Sequence, residues 1–210
     1  MMSSPERADA TPVVAGGSAS RPFSVTLYWL PLGAGGHCIR LNGRLFEALQ
    51  AHHEHRPVRD LYHSALQVRL GTDRFVIEMT PVLGGGTTNR GVVREGPVGS
   101  RLLRRSALFR YEVRRWRDGT IPDVAEAVSG PHIVSADPTR AREVLRLAPL
   151  VPPLVWGRDE SHTGEMWNSN SLTSWLVARS GLDVTRARLP RRGRAPGWDA
   201  GLAVASAGSR

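Results

Sequence analysis

The feature that most narrows the fold is a pair of strand-length segments set three residues apart. Leu61–Leu70 (LYHSALQVRL) and Arg74–Val82 (RFVIEMTPV) are rich in aliphatic and β-branched residues, and Gly71-Thr72-Asp73 joins them. Such a connection is hairpin-like, so the two segments are expected to pair. Ser24–Leu32 (SVTLYWLPL) and Ala107–Trp116 (ALFRYEVRRW) show the same alternation, and His132–Ser135 reads as a brief strand.

Helical segments lie between and after these strands. Ile39–His52 places Leu41, Leu45, Phe46 and Leu49 at helical spacing. Asp137 reads as a cap with Pro138 at the first helical position, and that helix runs to about Leu147. From Ser169 to Ser180, Leu172, Trp175 and Leu176 share one face and Gly181 is the stop. Ile121–Val128 reads as a short helix, Gly84 to about Gly99 as a loop, and Leu150–Thr163 as an irregular Pro-rich connection. The pattern is that of an α+β domain, a small antiparallel sheet packed against two or three helices. Its expected limits are 22–183, with a disordered segment at 1–21 and a loose Arg/Pro/Gly-rich tail at 184–210.

A chain of 210 residues with 40% hydrophobic residues is long enough for one domain with a real core. No apolar run approaches the roughly 20 residues that span a bilayer, and residues 1–19 lack the apolar stretch of a signal peptide. The single cysteine, Cys38, rules out an intramolecular disulfide and fits a reducing compartment. A cytoplasmic protein with no membrane partner is the expectation. The net charge of +9 points toward nucleic acid. Yet all 28 basic side chains are Arg and none is Lys, the bias of a GC-rich coding sequence. No zinc-finger spacing, aromatic RNA-binding strand or basic heptad is present. Arg101–Arg105, Arg114–Arg117 and Arg186–Arg194 therefore read as solvated charge, with an Arg-rich nucleic-acid binder kept as an alternative.

Two segments carry possible chemistry. His63 stands at the head of one hairpin strand, and Glu78 follows fifteen residues later on the other, so the two could share a face of the sheet. A carboxylate beside an imidazole fixes its tautomer and stabilises the imidazolium. The second segment is Trp167-Asn168-Ser169-Asn170-Ser171, polar residues leading into an apolar helix. Ser169 would sit near that helix's N-terminus, where free N–H groups and the helix dipole favour developing negative charge.

In this order the motifs resemble the circularly permuted papain-like superfamily, which includes lecithin:retinol acyltransferase-like proteins, permuted relatives of NlpC-type peptidases and PPPDE-type peptidases. That group has a His on an early strand, a second polar residue on the neighbouring strand, and a late helix opening N-C-x-x-F. The resemblance spans roughly residues 60–182. It implies a permuted papain-like arrangement and hydrolysis or acyl transfer at an amide, ester or thioester of a small-molecule or peptide acyl substrate, with no metal or other cofactor. On that reading Ser169 is the nucleophile, His63 the base and Glu78 its orienting carboxylate, while Asn168, Asn170 and Trp167 hold the oxyanion and substrate. The departure is Ser169 where the group has cysteine. A hydroxyl, unlike a thiol, needs a base to take its proton during attack. The alternatives are a Ser-His-Glu hydrolase or acyltransferase, and a catalytically inactive ligand-binding protein on the same fold that uses Ser169 and Asn170 as hydrogen-bond donors.

Other readings compete. Cys38, at the start of the Ile39–His52 helix and ahead of His63, is an alternative nucleophile; a buried free thiol acting as a small hydrophobe is the plainer reading. His52, His53 and His55 could ligate a metal only with partners from elsewhere, and sit more naturally as exposed residues at a helix end. Gly84–Thr88 lacks the Lys and spacing of a phosphate loop and reads as a mobile loop or lid. Trp116, Trp156, Trp167 and Trp175 read as core or pocket-wall residues, and Ser169 by itself as a helix cap.

Overall fold

The computed structural model describes residues 21–32, 59–82, 91–102, 109–121 and 123–208. The segments that alternate form strands: β1 (Phe23–Pro31), β2 (Asp60–Leu70), β3 (Asp73–Pro81), β5 (Arg110–Arg117) and β6 (His132–Ser135). With β4 (Val92–Pro97) and β7 (Gly193–Arg194) they make, among the described residues, a seven-stranded sheet. Its main path, β4-β5-β3-β2-β1-β6, is antiparallel, and the two-residue β7 joins β2 in parallel at Asp60 and Leu61. The β2–β3 hairpin closes with Leu70 opposite Asp73. Gly71 makes the turn at φ +66°, a conformation that a residue without a Cβ adopts cheaply.

Among the described residues the α-helices of this α+β domain are α1 (Pro138–Leu147), α2 (Ser169–Arg179) and α3 (Trp198–Ala207). Capping at α1 is as expected: Pro138 is at the first position and the Asp137 carboxylate accepts from Thr139 N at 2.7 Å. The main core forms where Leu27 and Trp29 of β1, Leu66 of β2 and Ile77 of β3 meet Val144 of α1 and Leu176 of α2. A smaller cluster of Leu30, Ala65, Val76 and Ile121 lies on the opposite face. Helix α2 is buried almost all round, with Asn170 through Val177 inaccessible, because β2, α1 and α3 all pack against it.

One irregularity positions everything that follows. The β2–β3 pairing covers Leu66–Leu70 only. Beyond Ile77, β3 stays with β5 and leaves β2 behind. Among the described residues, the first half of β2 therefore keeps β1 on one edge and, on the other, only β7 at its first two residues. The N-terminus of α2 comes to this split.

The structure departs from sequence expectation in three places. The tail expected to be loose from residue 184 contains β7 and α3, and α3 packs closely on α2. The contact is made by small residues, Ala200, Gly201 and Ala205, rather than by an apolar stripe. A Cβ at Gly201 would overlap Ser174 and the Ser171 carbonyl of α2. The stretch read as one loop to Gly99 holds β4, and only a 3-10 turn at Val124–Glu126 forms where a short helix was expected. The segment 1–20, Cys38, the Ile39–His52 helix, His53, His55 and Gly84–Thr88 lie outside the described residues.

Gly96 of β4 lies against the face of Tyr111, which is fully buried and donates its phenol hydrogen to Leu154 O at 2.9 Å. An added methyl would overlap that ring. Gly96→Ala should destabilise the domain by about 1–3 kcal/mol, the usual range for overpacking. Tyr111→Phe should cost about 1 kcal/mol for the lost hydrogen bond. Urea unfolding monitored by tryptophan fluorescence tests both values.

Candidate functional site

The N-S-N-S segment begins as a helix cap. Asn168 is extended (φ −162°), and its Oδ1 accepts from Asn170 N at 2.9 Å and Ser171 N at 3.4 Å. Its own N–H donates to Ser171 Oγ at 3.0 Å, completing a reciprocal capping box. The remaining polar groups face the chain that leads into α3. Asn168 Nδ2 donates to Pro196 O at 2.9 Å, Ser171 Oγ to Gly197 O at 2.7 Å, and Ser174 Oγ to Trp198 O at 2.7 Å.

Asn170 reaches into the split in the sheet. Leu61 O accepts from Leu32 N next to β1, so the following carbonyl, Tyr62 O, points to the side that β3 has left. Asn170 Nδ2 donates to Tyr62 O at 2.9 Å and to Pro196 O at 2.9 Å, and its Oδ1 accepts from Ser64 Oγ at 2.8 Å. The side chain stands in for the missing strand. Asn170 is 2% exposed and Ser64 3%, and both amide groups of Asn170 are engaged.

The expected catalytic set does not assemble. Successive side chains of a strand point to opposite faces. Ser64 points to α2, so His63 points away from it. His63 stands opposite Leu30 of the second-face cluster, and the charge that bears on it is Asp123. Ser169, half-buried at the first turn of α2, is on the other side of the sheet. Glu78 does lie on His63's face, but Arg114 engages it at 3.4 Å. The same guanidinium is held by Glu112 at 2.9 and 3.0 Å. The Ser169–His63–Glu78 assignment is thus corrected by strand parity. The Asn170 and Trp167 assignments to oxyanion and substrate are corrected by burial: Trp167 is 1% exposed in the main core beside Tyr111. Asn168 is a cap whose amide is already bonded to Pro196.

A cavity of roughly 450 Å³ is lined in part by the 193–199 segment that these asparagines hold through Pro196 O. Trp29, fully buried, lies beneath Trp198, with ring centroids 5.1 Å apart and planes tilted by 50°. The Trp29 indole N–H donates to Arg188 O at 2.8 Å. The rim carries Arg59 and Arg194 together with Glu165 and Asp199. Gly197, at φ +89°, has no side chain with which to cap α3. Glu165 does so from 32 residues away, accepting from Gly197 N at 2.8 Å and Asp199 N at 3.1 Å. Arg194 approaches Glu165 at 3.9 Å. Burial raises the Glu165 carboxyl above the ordinary glutamate value and Asp199 adds to this, against the lowering effect of the two N–H groups and Arg194.

Sequence reasoning missed Ser64, Glu165, Arg194 and Trp198. Gly197 ahead of Trp198-Asp199 was the available signal for a helix start there. Nothing local announces Glu165, whose partner is distant in sequence.

The Arg114–Arg117 cluster is engaged within the fold, as is Arg186 of the C-terminal cluster. Arg114 holds Glu78 and Glu112, Arg115 donates to Leu145 O, Arg117 pairs with Asp73, and Arg186 with Asp183. Among the described residues no group of His, Cys, Asp and Glu is placed to hold a metal ion, and no helix is long and apolar enough to cross a membrane. Comparisons with family models, with curated proteins and with solved structures find no match to this chain.

Asn170→Ala removes a bond to each of Ser64, Tyr62 and Pro196, and should cost about 3 kcal/mol, since buried partners are left unsatisfied. Ser169→Ala should change stability by less than about 0.5 kcal/mol. Chemical denaturation of the two variants measures the contrast. His63 supplies a pH signature. Burial lowers its pKa below 6.5, with Asp123 opposing. The unfolded chain therefore binds more protons in the window between the folded value and 6.5, and stability falls as pH drops through that window. His63→Gln should flatten that part of the stability–pH curve.

Proposed function

We propose that this chain is a non-catalytic ligand-binding protein on a permuted papain-like scaffold, with the ligand held in the Trp198 cavity. The observation that carries the reading is the Ser64–Asn170 hydrogen bond of 2.8 Å where strand and helix N-terminus meet. On the resemblance, that junction is where a strand His faces a helix nucleophile. Here it holds a hydroxyl and a carboxamide, neither of which titrates near neutral pH. The flanking core-side residues of β3, Ile77 and Met79, are apolar and offer no relay. A serine without a base in reach is a poor nucleophile.

The cavity suits a small ligand. Its size falls in the common range for such sites, about 300–1,000 Å³. Trp198 offers a ring face for a flat or sugar-like moiety. Arg59 and Arg194 on one hand, and Glu165 and Asp199 on the other, suit a ligand carrying groups of both charge signs, such as an amino acid or an amino sugar.

Intact-mass analysis with a fluorophosphonate probe should show no adduct. Titration with aromatic amino acids and amino sugars should quench tryptophan fluorescence saturably, with affinity at least about tenfold weaker in Trp198→Ala and unchanged in Ser169→Ala. An adduct lost in both Ser169→Ala and His63→Ala would overturn the reading in favour of a Ser-His-Glu hydrolase or acyltransferase. Silence across the ligand panel would remove the cavity as the site.

A further inference from the structure

A second surface lies at the opposite edge of the sheet. β4 is the terminal strand of the main path, and among the described residues only β5 pairs with it along its length. Just beyond its end, the outer edge is already used by the chain itself. Trp156 N donates to Pro97 O at 2.9 Å, and Gly99 N donates to Trp156 O at 2.9 Å. Val98 N, between them, points inward to Phe109 O. Backbone groups of alternate residues point to the same side of a strand, so the N–H and C=O of Glu95 also face outward. The internal pairing stops there because Pro97 has no N–H to give to Leu154 O, and Leu154 N is turned to Pro152 O at 2.9 Å instead of to Glu95 O.

Where it stops, a groove of roughly 750 Å³ runs along β4. Every residue from Val92 to Pro97 lines it, together with Arg101, Arg110 and Pro153. A pocket on one face of a strand would touch alternate residues; contact with all six places the groove along the strand's edge. Its lining carries three arginines and one carboxylate. Arg110 holds Glu95 at 3.1 Å and Arg101 holds Glu160 at 2.8 Å. Arg94 lines the groove as well, and among the described residues no carboxylate pairs with it. Arg94 stands opposite Val113 on the core side and Arg110 opposite Pro97. These are opposite parities of β5, so cationic side chains flank the edge above and below the sheet plane.

We infer that the β4 edge binds an extended acidic segment of a partner protein by strand addition, its backbone pairing with Glu95 and a carboxylate seated on Arg94. Main-chain bonding along an open edge supplies affinity, and alternate side chains supply selection. A nucleic acid is the less suited occupant. No aromatic ring lines the groove among the described residues to stack a base, and the Arg114–Arg117 cluster is engaged internally. The bulge between Val92 and Arg94 shortens the open edge, a device that also discourages indiscriminate pairing. A short insertion of three or four residues is what it leaves.

The test is fluorescence anisotropy with a fluorescein-labelled eight-residue peptide alternating Glu and Val. Its controls are a Lys/Val counterpart, a Glu/Val peptide with proline at a central Val, and a twelve-nucleotide oligo-dT. Circular dichroism melts would confirm that Arg94→Glu and Arg94→Gln remain folded. The expected result is saturable binding of the Glu/Val peptide, weakened about tenfold or more by Arg94→Glu and less by Arg94→Gln, with the proline and Lys/Val peptides not binding. Equal binding of the proline peptide would reduce the site to a charge patch and overturn strand addition. Binding of the Lys/Val peptide, insensitivity to Arg94→Glu, absence of binding up to millimolar peptide, or Arg94-dependent binding of oligo-dT in place of the peptide would each overturn the proposal.

Discussion

The carboxamide of Asn170 bonding to Tyr62 O is the contact on which the rest of the domain's arrangement turns. A sheet whose third strand peels away from its second leaves buried carbonyls without a ladder partner, and such groups are costly if left unsatisfied. One side chain from the start of α2 answers that need. In doing so it fixes the helix against β2 and, through Pro196, the chain that turns into α3. The polar residues at Asn168, Ser171 and Ser174 extend the same connection along one side of α2. Helix, split sheet and C-terminal helix are one polar-clasped unit, and α2 can be buried nearly all round because its polar side chains are bonded.

That arrangement bears directly on chemistry. A catalytic reading requires the early-strand base to share a side of the sheet with the helix N-terminus. β2 presents Ser64 there and turns His63 to the other side, where burial keeps it below its ordinary pKa. A change of one position in strand register would exchange the two. The existing register is held by nine residue pairs between β1 and β2, from Phe23↔Leu70 to Pro31↔Tyr62, so such a slip would turn the whole inner face of β2 outward.

Much of the scaffold was legible in the residues themselves. β1, β2, β3 and β5 follow from alternation, and α1 and α2 from caps and periodicity. The facing of His63 was not, for a physical reason. β2 is buried on both faces, with Leu61, Tyr62, Ser64, Ala65 and Leu66 all buried, so hydrophobic alternation no longer tells inside from outside. α3 was missed because its contact depends on close approach at Gly201 rather than on apolar side chains. β4 was missed because an edge strand of sequence VVREGP carries charges and a proline where a central strand would carry aliphatics. Glu165 was invisible because a cap supplied from 32 residues away leaves no local pattern.

The charge of the chain takes on a different meaning once its partners are located. A net +9 distributed over free arginines would make a broad electrostatic surface suited to a polyanion. In the folded domain many of these cations have local duties. Arg114 joins β5 to β3 through Glu78, Arg115 reaches a carbonyl of α1, Arg140 donates to Ser180 O at the end of α2, and Arg158 donates to Gly99 O. Guanidinium groups suit such work because their forked donors can serve a carbonyl or carboxylate while the stem packs on apolar surface. The two proposed binding positions are likewise local. Arg94 on the β4 edge and the Arg59–Arg194 side of the Trp198 cavity are separate positions, each with its own geometry, so selectivity here would come from the shape of two small sites and not from the sum of the charge.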